Sequence, residues 1–115
     1  MKRAALLAAL LASLAAPAQA KAPARMLVEA REYHFTLSRT VLHAGPAIIQ
    51  LADRGEDPHD LRLRKLGAAP RAQIAETQPG GVAEWRGTLT RGRYEIYCSL
   101  PGHRKLGMRA VLTVK

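Results

Sequence analysis

Tyr94-Glu95-Ile96-Tyr97-Cys98-Ser99-Leu100-Pro101-Gly102-His103-Arg104-Lys105-Leu106-Gly107-Met108 is the stretch from which the rest of the chain can be read. A thiol, an imidazole and a thioether recur in it at five-residue steps, at Cys98, His103 and Met108. Pro101-Gly102 and Gly107 supply turn chemistry between them. Runs of strand character flank the loop. Arg93 to Cys98 leads in, and Met108 to Lys115 leads out with Met108, Ala110, Leu112 and Val114 alternating against Arg109, Val111, Thr113 and Lys115. One loop between two strands can therefore aim three such side chains at a single point.

Upstream, His59 opens another alternating run, with Leu61, Leu63 and Leu66 on one face and Arg62 and Arg64 on the other. It follows the polar turn segment Asp53 to Pro58, so it can reach the same end of a sheet as the loop. A thiolate, two imidazoles and a thioether suit copper far better than calcium or magnesium. Zinc accepts thiolate and imidazole but takes a thioether only unusually. Each residue also has a plainer use: Cys98 as a buried thiol, Met108 as core filler, His59 and His103 as surface loop residues. The four together, in order and at the ends of matching strands, point to one metal ion. His34, on the polar side of its strand, and His43, beside a turn, stay outside the set.

The remaining chain reads as short strands broken by turns. Leu27 to Leu37 forms one, with strict alternation from Tyr33 onward, followed by Thr40 to His43 and by the apolar run Ala47 to Ala52. Gly67 to Gln78 is rich in alanine and reads as a short helix or an irregular crossing. Val82 to Leu89 and Arg93 to Cys98 read as partners across Thr90-Arg91-Gly92. About seven to eight short strands and little helix indicate an all-β antiparallel sandwich or barrel. Aromatic residues make up 4% of the chain, so the core must be aliphatic, with Trp85 as a packing residue.

The 115 residues divide at residue 20. Lys2 and Arg3, the apolar run Ala4 to Ala16, and Ala18-Gln19-Ala20 have the form of a secretory signal peptide cut after Ala20. The run falls short of the roughly 20 apolar residues that a permanent span needs. Residues 21–115 then form a single domain. Two of the 18 Lys and Arg residues fall in the leader, which holds no acid, so the remainder carries 16 basic against 9 acidic residues, a formal +7. That charge favours acidic partners or anionic surfaces. Scattered basic residues on an exported chain argue against nucleic acid. The chain has 1 cysteine, so it cannot staple itself with a disulfide, and metal ligation both uses and protects the thiol.

At these residues the sequence resembles the cupredoxins, the type 1 or blue copper proteins of the plastocyanin/azurin family. The likeness runs from Tyr33-x-Phe35 through Ala44-Gly45, Gly55-x-x-Pro58-His59 and Gly92-x-Tyr94 to the loop. The equal gaps between Cys98, His103 and Met108 are closest to rusticyanin-like and sulfocyanin-like loops, whereas Pro58-His59 is similar to plastocyanins. The resemblance implies a Greek-key β-sandwich with one copper at its end, held by His59, Cys98, His103 and a long bond to Met108. The residue after the first ligand histidine is commonly Asn in these families, where it ties the two ligand-bearing segments together. Here it is Asp60, which can accept the same N–H bonds.

The leader looks bacterial and directs the chain to the periplasm, and the resemblance implies a carrier, expected as a monomer, that passes one electron by cycling Cu(II) and Cu(I). The alternative is a periplasmic copper carrier or resistance protein using the same ligands. Electrons would leave by the His103 edge, with Leu100, Pro101 and Leu106 as an apolar docking patch rimmed by Arg104 and Lys105. Redox partners with an acidic docking surface follow. Four protein ligands leave no open position for a substrate, and no nucleophile–base pair is suggested by spacing, so an enzyme is not expected.

Overall fold

The computed structural model describes residues 12–17 and 21–115, so most of the leader, and the cut after Ala20, lie outside the described residues. Nine strands form two sheets: β1 (Ala24–Arg31), β2 (His34–Leu37), β3 (Val41–Leu42), β4 (Gly45–Asp53), β5 (His59–Lys65), β6 (Ala72–Thr77), β7 (Val82–Leu89), β8 (Gly92–Tyr97) and β9 (Arg109–Val114). One sheet runs β2-β1-β4-β7 and the other β3-β9-β8-β5-β6. The chain changes sheet repeatedly between β2 and β5, and this leaves β1 parallel to β4 and β3 parallel to β9. No helix among the described residues is long and apolar enough to cross a membrane.

Alternation decides what each strand buries. In β1, Met26, Val28 and Ala30 turn inward; β4 adds Ala47, Ile49 and Leu51, and the second sheet answers with Leu61, Leu63, Ile96 and Leu112. The two inner faces meet in one buried cluster. The core continues to one end of the molecule, where Cys98 and Met108 belong to the same buried cluster.

Four expectations need correction. Leu27 to Leu37 is two strands, β1 and β2, folded back at Glu32-Tyr33 with Arg31 opposite His34. Gly67 to Gln78 contains an edge strand, β6, in place of a helix; its Ala72, Ile74 and Thr77 are buried against the end of the core. The pairing of β7 with β8 does not form. β7 pairs with β4, and β8 pairs with β5 and β9 in the other sheet. Thr90 and Arg91 therefore arch between sheets, and the buried Tyr94 staples the arch by donating its hydroxyl to the Thr90 carbonyl at 2.7 Å. Finally, Leu66 is exposed, whereas Trp85 does pack against the core, half-buried on the open edge strand β7 with its ring lying across Gly87.

Candidate metal centre

Three ligand groups meet at the end of the five-stranded sheet. His59 begins β5, Cys98 follows the last residue of β8, and His103 opens α1 (His103–Leu106), a single helical turn inside the loop. Sequence reading gave turns there but not that turn. Gly102, at φ 80°, and Gly107, at φ 126°, bound it in conformations that disfavour a side chain, and a Cβ on Gly107 would stand 2.9 Å from the Tyr33 carbonyl oxygen. The loop closes on itself through the backbone: Cys98 N–H donates to Met108 O at 3.1 Å, and Met108 N–H donates to His103 O at 3.1 Å.

His59 Nδ1 stands 3.3 Å from His103 Nδ1, and Cys98 Sγ stands 3.6 Å from that same nitrogen. One donor atom from each of the three residues can be chosen so that all lie within 4.8 Å of one another. Two nitrogens held at about 2.0–2.1 Å by one ion at a near-tetrahedral angle stand about 3.3 Å apart. The spacing and the donor chemistry thus fit a thiolate-and-imidazole metal site. Met108 is fully buried at the head of β9, tied by its backbone to Cys98 and His103. His34 and His43 are exposed and belong to no such group among the described residues.

Solvent reaches the three groups unequally. His59 and Cys98 are fully buried, and His103 is half-buried with the Tyr33 ring edge-on to it at 5.1 Å. Burial pushes the Cys98 thiol above its ordinary 9.0, hydrogen bonds from the Asp60 and Leu100 backbone pull it down, and the Asp60 carboxylate raises it again. Unaided, the thiol stays protonated at neutral pH; a bound cation is what would convert it to thiolate.

Asp60 performs the tie expected of it. Its Oδ1 accepts the Ser99 N–H at 2.6 Å, and its other oxygen accepts the Ser99 hydroxyl. The β5–β8 ladder runs only from Lys65 to Arg62, so this side chain replaces main-chain pairing where the strands diverge toward the site.

Two contributors escaped the sequence reading, because they come from the other sheet. Glu32, in the turn between β1 and β2, sets Oε1 2.9 Å from His59 Nε2. The same carboxylate accepts the Glu56 and Asp57 N–H groups at 3.0 and 2.7 Å, gripping the loop that delivers His59. The Asp57 N–H is the main reason its carboxyl is lowered to about 2; burial opposes this, and the Glu32 and Glu56 N–H groups and the His59 ring add to it. Tyr33 then covers the His103 edge. A charged residue in a turn without Gly, Pro, Asn or Asp gave no local signal for either role.

The presumed rim also changes. Pro101, Lys105 and Leu106 are exposed, but Arg104 donates to Glu95 at 2.5 Å, so its charge is paired. Arg64 binds the other oxygen of Glu95 at 3.0 Å. On the outer face of the five-stranded sheet the register sets Arg62, Tyr97 and Arg109 in one row, with Arg93 two residues before Glu95 on β8; Arg62 is paired with Asp60 at 3.6 Å, while Arg93 and Arg109 are exposed.

No protein-family model matches the sequence, and no curated protein does. Solved structures match the fold. Auracyanin from the photosynthetic bacterium Roseiflexus castenholzii superposes with a TM-score of 0.67 at 16% identity, covering 83% of this chain and 99% of that one. Auracyanin A, a "blue" copper protein of Chloroflexus aurantiacus, gives 0.66 at 20%, covering 82% and 100%. Rusticyanin from Thiobacillus ferrooxidans gives 0.63 at 16%, covering 79% and 77%. The nine-strand sandwich is thus the cupredoxin fold, with one or two strands more than the alternation suggested.

Proposed function

We propose that this chain is an exported one-electron carrier holding one copper ion through His59, Cys98, His103 and Met108. The observation that carries the reading is the convergence of two imidazole nitrogens and a buried thiol at metal-binding distances, on a fold shared with blue copper proteins. When bound, copper supplies a one-electron Cu(II)/Cu(I) couple. The residues of this chain do the rest. His59 and His103 would offer Nδ1 in the neutral form, Cys98 would give up its proton on binding, and Met108 would add its thioether as a weak ligand. Hydrogen bonds that do not involve the metal hold His59 and the loop in place, so little rearrangement has to accompany a change of charge.

Electrons would pass through the half-buried edge of His103, beside Pro101 and Leu106. The charge of residues 21–115 and the exposed Arg93 and Arg109 on the adjoining sheet face favour weak, fast docking to an acidic redox partner, as a monomer in the periplasm after removal of residues 1–20. The reading assigns no substrate reaction to the chain.

Titration of purified residues 21–115 with Cu(II), beside Cys98→Ser, tests it. An intense visible charge-transfer band saturating at one copper per chain, absent from the variant, is expected. A band that survives loss of Cys98, or no band, overturns the copper site. Rapid surrender of Cu(I) to a weak chelator would favour a copper carrier or resistance protein over electron transfer.

A further inference from the structure

Glu32 stands where the metal reading needs nothing more than an acceptor. His59 points Nδ1 at His103 Nδ1, which Cys98 Sγ also approaches, and Nε2 at the Glu32 carboxylate. A neutral imidazole carries one N–H, so a carboxylate at Nε2 places the proton there and leaves the Nδ1 lone pair facing the site. A backbone carbonyl would do the same at no electrostatic consequence. A carboxylate adds a full negative charge one imidazole ring away, and among the described residues no Lys or Arg stands within ion-pair distance to offset it.

The group is held for this place. Its oxygens are gripped by the Glu56 and Asp57 N–H groups, and Gly55 leaves the room, since a Cβ there would lie 2.3 Å from Oε1. Such outer partners fix the tautomer and ring orientation of a ligating histidine and raise its basicity. The charge attracts the doubly positive ion more strongly than the singly positive one.

We infer that Glu32 is a positioning residue that locks His59 in its Nε2–H tautomer and biases the bound ion toward the oxidised state. This rests on the copper reading only for its second half. The first half is a property of the metal-free protein.

Two measurements separate the halves. In metal-free residues 21–115 at about pH 8, above the imidazole range, two-bond ¹H–¹⁵N correlation spectra should show His59 as Nε2–H in the wild type. In Glu32→Ala the same spectra should show a tautomer mixture. A wild-type Nδ1–H ring, or a tautomer unaffected by Glu32→Ala, overturns the locking role. In the copper-loaded protein, Glu32→Gln should keep a one-copper charge-transfer band. It should also shift the Cu(II)/Cu(I) balance toward Cu(I) about tenfold, a rise of about 59 mV for one electron. With the band intact, a shift under twofold, below about 18 mV, overturns the charge role and leaves a loop clamp. A wild type without the band refutes the copper reading and the charge role with it, and the tautomer result then decides the locking role alone.

Discussion

Replacing Asp60 by Ala removes the carboxylate that ties the start of β5 to Ser99, so its cost can be worked from two hydrogen bonds. Asp60 is 3% exposed and accepts both the Ser99 N–H, at 2.6 Å, and the Ser99 hydroxyl. Hydrogen bonds to a charged group contribute about 1.5–3 kcal/mol each. Ser99 itself is exposed, so water can reach its orphaned donors in the variant and the lower figure applies. The pair should thus cost about 3 kcal/mol. Asp60→Asn keeps a carbonyl acceptor and gains an amide donor, losing only charge assistance, and should cost about 1 kcal/mol. Urea unfolding of the metal-free protein, in reductant to protect Cys98, reads both. At a slope of about 1–3 kcal/mol per molar, the Ala variant should unfold about 1.5 M earlier. An Ala variant within about 1 kcal/mol of wild type, or no more perturbed than the Asn variant, would refute the reasoning.

Other expectations follow from single contacts. Gly87→Ala sets a Cβ 2.2 Å from the Trp85 ring, which must swing off β7; emission from the sole tryptophan should shift to the red, and an unshifted spectrum would contradict the packing. Tyr94→Phe removes the hydroxyl bond to Thr90 across the β7–β8 arch and should cost about 1 kcal/mol in thermal or urea unfolding, against no loss if the arch holds itself. Glu95 is held below its ordinary 4.5 chiefly by Arg104, with burial opposing and Arg64 helping. A depressed carboxyl contributes stability that is complete above the unfolded value and fades as pH falls through the folded one. Between about pH 6 and pH 3 the urea midpoint should therefore drop less in Glu95→Gln than in wild type, and parallel curves would remove Glu95 from the account.

What could be read in the sequence, and what could not, divides by the range of the interaction. The loop was legible because its chemistry is local: Cys98, His103 and Met108 sit at fixed steps and Gly102 and Gly107 mark the turns. The apolar run of β4 and the alternation of β9 announced themselves in the same way. β6 was hidden because alanine has no preference for a strand, and only the edge of β5 supplies the pairing. Thr90-Arg91-Gly92 has the composition of a hairpin turn, so the arch between sheets shows itself only through the Tyr94 staple. The β1–β2 turn carries none of the usual turn residues. Glu32 lies 27 positions from His59, beyond the reach of any spacing argument.

That last distance bears on how the site is built. His59, Cys98, His103 and Met108 all belong to the five-stranded sheet or its loop, whereas Glu32 and Tyr33 come from the four-stranded one. Glu32 reaches the ring of His59, Tyr33 lies against the ring of His103, and the Tyr33 carbonyl crowds Gly107. Each imidazole is therefore in contact with a residue of the opposite sheet. A ligand that binds only the folded chain adds its binding free energy to the fold. For an ion held by β5 and the loop, that energy would act at an end of the core where no disulfide can close the chain and the β5–β8 ladder has already stopped. An ion held by His59, Cys98, His103 and Met108 would join β5 directly to the β8–β9 loop, and would reach the other sheet only through the contacts of Glu32 with His59 and of Tyr33 with His103.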